Sequence, residues 1–396
     1  MNKIATGIDV GTYHVKVVIA QRSEDSKQPP HILGTGYAES RGLRHGYTIS
    51  VQEAARGIKA ALRQAESAAR IKVKEAYLGI GGEGLDEALS RGEAVVERGD
   101  SEVTERDMQR AIAASEQALS PALVLNRRII HTIPLRWSVD GTRVLGKNPT
   151  GMKGQRVAVE TLFITAPARH IEDLSEAVAL AGVAVADVIA SPIAASFVTL
   201  TKMQKRVGCV LANIGSETLS IAVFEDDLPI SLKVFPGGSA DIGGDIALGL
   251  KIPLEEAEQL KHGAVLGAPY SRRKLDDIVS KRVAGMFKLV EAHLKKIGKD
   301  ELLPAGIILT GGGSGITTIT DIAQAVVRLP ARIAPLAAGE AGRMQLRDGS
   351  WAVAYGLTIW GLTDRDEYEV GIDGSFGEAL GQSMGGFWRF LKKFLP

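Results

Sequence analysis

Apolar residues in this chain follow two periods. IATGIDVG and VKVVIAQ read as strands parted by a glycine turn, and HILGTGYA continues the strand pattern. VQEAARGIKAALRQAESAARIK then places its apolar residues on one helical face and leads into EAYLGIGG. Residues 84 to about 163 break this rhythm with the charged strand EAVVERGD, a helix opened by TERD, two further strands and the turn NPTGMKG. That predicts a small domain (84–163) inserted in a surface loop, where insertions cost little. The rhythm resumes with ETLFITA, a helix to Ala181, VAVADVIA and a helix opened by Ser191–Pro192, since proline suits a first helical turn. A first lobe is therefore expected from 1–83 and 164–206, and a second from 207–363, with about 240–300 as its outer part. Residues 364–386 are acidic and glycine-rich without sustained periodicity, the pattern of a flexible linker.

An internal repeat ties the two lobes together. GIDVGTYHVKVVIA (7–20) and LANIGSETLSIAVF (211–224) align without gaps, each running strand, acid or amide, small and hydroxyl residues, strand. Such a hairpin turn can aim backbone N–H groups and hydroxyls at an anion. In the first, Gly11 permits close approach, and Thr12 and Lys16 are candidate phosphate contacts. Asp9, acceptor-only when ionised, could hold the water shell of a Mg²⁺ ion. Gly215, Ser216 and Thr218 take the corresponding places in the second. Either loop alone also reads as an ordinary β-hairpin. A third segment, GIILTGGGSGI (306–316), runs an apolar strand into Gly311, Gly312, Gly313 and Ser314 before a helical pattern, where amides could cradle a nucleotide. Three such loops predict a nucleotide between two lobes.

Other motifs narrow the class. No G-x-x-x-x-G-K-[ST] is present, which excludes a P-loop. GIGGEG (79–84) fits G-x-G-x-x-G, but only LDEALSR follows as helix-compatible sequence, too short for a Rossmann crossover. It reads instead as the turn where the inserted domain leaves the lobe. With 47 basic and 46 acidic residues there is no global pull toward nucleic acid. The one cysteine, Cys209, excludes a disulfide framework and suits a reducing cytosol, and the seven scattered histidines predict no metal cage. Neither a signal-peptide segment nor a run of about 18 apolar residues is evident, so a cytoplasmic α/β protein with at most peripheral membrane contact is expected.

The last twelve residues, GGFWRFLKKFLP, supply a candidate for that contact. At about 100° per residue, Phe387, Trp388, Phe390, Leu391, Phe394 and Leu395 fill one continuous arc, and Arg389, Lys392 and Lys393 the opposite one. An apolar face with tryptophan opposite a purely basic face is the pattern of an interfacial helix on anionic lipid. Docking on the chain's own body is the alternative, disfavoured by the preceding linker and the lack of any acid. Each basic residue contributes about 1 kcal/mol near an anionic leaflet and each apolar side chain about 1–2 kcal/mol. Ordering costs about 1–2 kcal/mol per residue. One tail is thus weakly bound, and a polymer with many tails gains avidity.

The order of these elements resembles the actin-like ATPase superfamily, two duplicated ribonuclease H-like α/β lobes around a nucleotide cleft. Within it the chain looks like the FtsA family of bacterial cell-division proteins. IDVGT, KNPTGMKGQRV (147–157), EEAEQLKHG (255–263) and ILTGGGSGI carry the resemblance. It implies ATP with Mg²⁺ in the cleft, Glu258 and Lys261 against the adenosine, and self-assembly into filaments on the cytoplasmic face of the membrane at the division site. It further implies other division proteins as partners and an FtsZ C-terminal peptide docked on the outer part of the second lobe, where Arg282 matches a family arginine. From spacing alone, Glu258 and Lys261 at i and i+3 read equally as a surface ion pair, and the basic run 271–298 as a solvated face.

The second phosphate loop departs from the family pattern, with Asn213, Ser216–Glu217 and Ser220 where two aspartates and a glycine-rich turn are usual. An asparagine carbonyl accepts a hydrogen bond but neither takes up a proton nor lends charge to a cation, so hydrolysis is expected to be slow or absent. Glu217 could restore a carboxylate, although it aligns with Tyr13, one position beyond the equivalent of Thr12. Two other readings share the cleft: an actin-like assembly protein of type IV pilus machinery, which the basic tail disfavours, and a small-molecule kinase, for which no carboxylate base can be assigned.

Overall fold

Apolar runs ending in glycine build the framework. The computed structural model describes residues 3–23, 28–97, 99–145, 148–263, 270–338, 342, 346 and 348–363. The expected linker (364–386), the amphipathic segment Phe387–Leu395 and Lys147 lie outside the described residues. Up to Gly84 the chain forms β1 (Ile4–Val10), β2 (His14–Gln21), β3 (His31–Glu39), the short β4 (Leu43–Arg44) and β5 (Tyr47–Thr48), α1 (Val51–Ala69) and β6 (Glu75–Ile80). Next come β7 (Asp86–Val95), α2 (Glu105–Gln117), α3 (Pro121–Val124), β8 (Arg127–Val139), β9 (Thr142–Arg143) and β10 (Arg156–Pro167). The middle of the chain supplies α4 (Ala168–Leu180), β11 (Ala184–Ala190), α5 (Ser191–Thr199), α6 (Lys202–Val207), β12 (Cys209–Ile214), β13 (Thr218–Glu225) and β14 (Leu228–Pro236). It ends in α7 (Ser239–Leu250), α8 (Leu254–Lys261), α9 (Arg272–Lys296), β15 (Ile307–Thr310), α10 (Ile319–Val327), β16 (Ala331–Ile333) and α11 (Ala352–Leu362).

The chain divides into two compact units, one built up to Gly84 and from His170 onward, the other Leu85–Arg169. The first unit holds two five-stranded sheets with one topology, β3-β2-β1-β6-β11 and β14-β13-β12-β15-β16. In each, the central strand pairs antiparallel with its hairpin partner and parallel with the strand on its other side. This is the duplicated actin-like arrangement. The sequence repeat is a repeat of register, because Asp9 lies opposite Lys16 and Asn213 opposite Ser220. Even the turn bond recurs, Gly11 N–H to the His14 carbonyl at 3.2 Å and Gly215 N–H to the Thr218 carbonyl at 2.8 Å.

Packing explains several glycines. A Cβ on Gly36 would stand 1.9 Å from the Ala61 carbonyl oxygen, so glycine lets α1 lie directly on β3. α1 itself opens on Ser50, whose hydroxyl accepts from Glu53 N–H, and closes at Arg70 in the left-handed region. α11, apolar nearly all round, is buried along almost its whole length, as such a helix must be. Around the second sheet, Val210, Ile221, Ile242, Phe287, Leu309 and Val327 belong to one apolar core.

The second unit is an antiparallel sheet in the order β7-β10-β8-β9. Val103, Met108 and Ala111 pack with Trp137, Val157 and Val159 in its core. TERD opens α2 through a reciprocal capping box between Thr104 and Asp107. LDEALSR is not helical. From Asp86 it belongs to β7, paired along its length with β10, because strand pairing overrides a short stretch of helical propensity.

Candidate functional site

The first unit encloses a cavity of about 840 Å³, within the size range of small-molecule sites. Asp9, Gly11, Thr12, Lys16, Asn213, Gly215, Ser216, Thr218, Glu258, Lys261, Gly311 and Gly312 all line it. Both hairpin turns therefore open on one space, with the β15 glycine turn beside them. Backbone bonds from α7 fix the second hairpin, Ser239 N–H reaching the Gly215 carbonyl at 2.9 Å and Ala240 N–H the Ser216 carbonyl at 2.8 Å. The glycines form a 3-10 turn over Gly312–Gly315, and α10 begins only at Ile319. The expected helix start is thus displaced. Gly311 sits at φ 89°, and a Cβ there would meet the Asn213 Oδ1 at 2.3 Å. Position 311 therefore requires glycine twice over.

Three expected residues do not line the cavity. Gly313 packs on Ile214, and the buried Ser314 hydroxyl donates to the Gly311 carbonyl at 2.7 Å. Glu217 instead accepts the backbone N–H of His45, in the β4–β5 turn, at 2.5 Å. Its carboxylate thus ties the second hairpin to the turn that carries Gly46, itself a cavity residue. Replacing Glu217 by alanine is expected to speed amide exchange at His45 and Tyr47 about fivefold to tenfold, since a net hydrogen bond contributes about 1 kcal/mol. Unchanged exchange would mean that the tie carries no load.

Charge within the cavity is unevenly tuned. Burial pushes the Asp9 carboxyl up to about 6, with Lys16 opposing. The His14 imidazole is lowered, first by burial and then by Lys16. Glu258 and Lys261 pair on one face of α8, but the lysine is no surface cation: its buried ammonium also donates to the Ser239 carbonyl at 3.0 Å. Glycine at 243 makes room for this pair, as a Cβ there would fall 1.8 Å from the Glu258 Oε1. Arg282 lies on α9 outside the cavity lining, its guanidinium bound at both ends by Asp245 at 2.6 and 2.8 Å. That contact lowers the Asp245 carboxyl and raises the arginine.

Sequence reasoning missed His170, Ser191, Gly46, Gly81, Gly82, Asp348 and Ser350, all of which line the cavity. Only one carried a usable signal. Asp348-Gly-Ser is an Asx turn, with Ser350 N–H donating to the Asp348 carboxylate at 2.8 Å.

Comparison with known proteins agrees with this architecture. Residues 210–356 match the family described as "Cell division protein FtsA" and residues 87–165 the "SHS2 domain inserted in FTSA", together more than half of the chain. The cell division protein FtsA of Pseudomonas aeruginosa is 26% identical over 395 residues, covering 94% of this chain and 93% of the relative. That of Bacillus subtilis is 28% identical over 354 residues, covering 84% and 79%. Among solved structures, the PilM–PilN type IV pilus biogenesis complex is similar with a TM-score of 0.65 at 17% identity, covering 91% of this chain and 99% of that one. At that identity the pilus protein attests to the fold alone. With two family descriptions matched in consecutive parts of one chain, and full-length relatives bearing the same name, this chain belongs to the FtsA family of actin-like cell-division proteins.

Proposed function

We propose that the chain binds ATP with Mg²⁺ in the cavity of its first unit, assembles into filaments, and tethers FtsZ to anionic lipid on the cytoplasmic face of the membrane at the division site. The observation that carries the nucleotide reading is the convergence of two register-related hairpins and a glycine turn on one cavity. The residues fit the group. Gly11 and Gly311 leave space that a Cβ would fill, and Asp9 is a carboxylate whose charge lacks compensation beyond Lys16. Mg²⁺, when bound, neutralises phosphate charge. Lys16 and the hairpin N–H groups and hydroxyls hold phosphate oxygens, Asp9 orients the ion's waters, and Lys261 with Glu258 brackets the nucleoside. Asn213 stands where a carboxylate would activate water, and Glu217 is engaged by His45, so hydrolysis is slow or absent.

Sequence pattern supports the membrane reading. Among the described residues no helix is long and apolar enough to cross a membrane, and 387–395 carries the amphipathic, basic arc. In this reading FtsZ docks on α9 at Arg282, where an incoming carboxylate must share the guanidinium with Asp245.

The test uses the full chain. It is expected to bind ATP with Mg²⁺ in solution and to pellet with vesicles of anionic lipid. Deleting 387–396 lowers the vesicle-bound fraction at least tenfold, the three cations alone being worth about 3 kcal/mol. Pelleting should be firmer for assembled protein than for monomer. Equal pelleting with and without the tail removes the tether; a steady-state ATPase rate comparable to actin's removes the role given to Asn213.

A further inference from the structure

Segment 40–48 is bonded to both hairpins, at the same place in each. Ser40 N–H donates to the Tyr13 carbonyl at 3.0 Å, and His45 N–H donates to the Glu217 carboxylate at 2.5 Å. Tyr13 and Glu217 are equivalent residues of the repeat, one in each turn. A short stretch of the first lobe therefore bridges the turn of its own lobe to the turn of the second. Gly46, next to the second bond, lines the cavity on which both turns open.

The two ends of this segment are built unequally. Its foot is firm. The Gly42 carbonyl accepts from Ile49 N–H at 2.7 Å and from Ser50 N–H at 3.1 Å, which roots the segment at the start of α1. A Cβ on Gly42, at φ 102°, would stand 2.5 Å from the Ser50 carbonyl oxygen, so the root is close-packed.

The tip has little stability of its own. β4 and β5 pair through Leu43–Thr48 and Arg44–Tyr47 alone, and so small a hairpin is marginal in isolation. Its two-residue turn holds His45 at φ 52° and Gly46 at φ 79°, and the left-handed region is unfavourable for a residue with a Cβ. Contacts from outside must therefore fix the tip. On the first lobe, Gly46 packs backbone to backbone on Gly82, and the Tyr47 ring stands edge-on to His170 at 5.7 Å. On the second lobe the contact is Glu217. Its own turn is held by α7 and by Gly237 N–H on the Glu217 carbonyl at 3.0 Å. The His45 side chain is 51% exposed, so water reaches this bond and competes for it.

We propose that segment 40–48 is a strap between the lobes and that Glu217 is its latch, controlling the entry and exit of nucleotide. Latched, the strap holds the two hairpins at a fixed spacing; unlatched, it lets the lobes part. This adds regulation to the nucleotide site and rests on that reading. Glu217 acts as a positioning residue, because it touches the strap and does not line the cavity. A ligand contact changes release and affinity together, whereas a gate changes entry and release alike.

The experiment follows a fluorescent, non-hydrolysable ATP analogue with Mg²⁺ on full-length protein by stopped flow. Glu217→Ala is expected to raise association and dissociation rates together, about fivefold to tenfold, and to leave affinity within about twofold. Glu217→Gln keeps an acceptor of the same reach, so its rates are expected to stay within about twofold of the unaltered protein. Unchanged rates in Glu217→Ala, or faster release with an equal loss of affinity, overturn the latch. If the unaltered protein binds no analogue, the nucleotide reading fails, and access of a thiol reagent decides the strap. Ser220 lines the cavity at 8% exposure, and the native Cys209 is buried. A small maleimide is then expected to label Ser220→Cys about fivefold to tenfold faster in combination with Glu217→Ala. Equal labelling overturns the strap.

Discussion

Between pH 7 and pH 5, Mg²⁺-dependent nucleotide binding is expected to weaken about tenfold, and Asp9→Asn to abolish that pH dependence. The Asp9 carboxyl is raised from 3.8 to about 6, chiefly by burial. Only the ionised form accepts hydrogen bonds from the cation's water shell. The contribution is therefore present above about 6 and lost as pH falls through it, the ionised fraction dropping about tenfold between pH 7 and pH 5. The linkage to stability has the opposite sign. A carboxyl held above its unfolded value stabilises fully below about 4 and loses that contribution as pH rises through about 6. The nucleotide-free protein is thus penalised at neutral pH, and a bound cation relieves the penalty. Thermal stabilisation by Mg²⁺-nucleotide should accordingly be larger at pH 7.5 than at pH 5. His14 also faces the cavity, but its protonation adds positive charge near the phosphates and works the other way. Nucleotide phosphates titrate in the same range, so the measurement is the difference between wild type and Asp9→Asn across pH 5–8. Parallel curves for the two proteins would remove Asp9 from the cation site.

The largest stability effect is expected at Gly356. A Cβ there would meet the Ala194 carbonyl oxygen at 1.8 Å and its carbon at 2.5 Å, and both are backbone atoms of α5. No rotamer change relieves such a clash, so α11 must move off α5. On the other side, α11 sits equally close to β1, where a Cβ on Gly7 would lie 2.1 Å from the Ala354 carbonyl oxygen. Overpacking a fixed interface costs about 1–3 kcal/mol, and a backbone-to-backbone wedge stands at or above the top of that range. Gly285→Ala is the matched control. It is also a glycine inside a helix, α9, but no atom lies within 4 Å of its would-be Cβ. There alanine is expected to stabilise by roughly 0.5–1 kcal/mol through backbone entropy. Urea midpoints moving in opposite directions would establish that packing, not propensity, governs position 356. A neutral Gly356→Ala would mean that the α5–α11 contact yields.

The repeat at 7–20 and 211–224 was legible because hairpin register is local, and it placed Asp9 opposite Lys16 as Asn213 is opposite Ser220. Capping at Thr104 was legible for the same reason. The strand state of LDEALSR was not legible, because its partners lie in β10, some 70 residues onward. His170 and Ser191 gave no signal, since a histidine early in one helix and a serine opening another acquire meaning only where both line one cavity. Glu217 looked like a free carboxylate until the β4–β5 turn, 172 residues away in sequence, was seen to occupy it.

The sequence by itself determined the duplicated strand–turn–strand units, the inserted segment and the chemistry of the two hairpins, because each follows from periodicity and turn residues within a few positions. Only the tertiary structure decided which side chains converge on the cavity, which glycines must stay glycine and which charges are already paired. Those outcomes depend on distances between residues far apart in the chain, and nothing in local pattern encodes them.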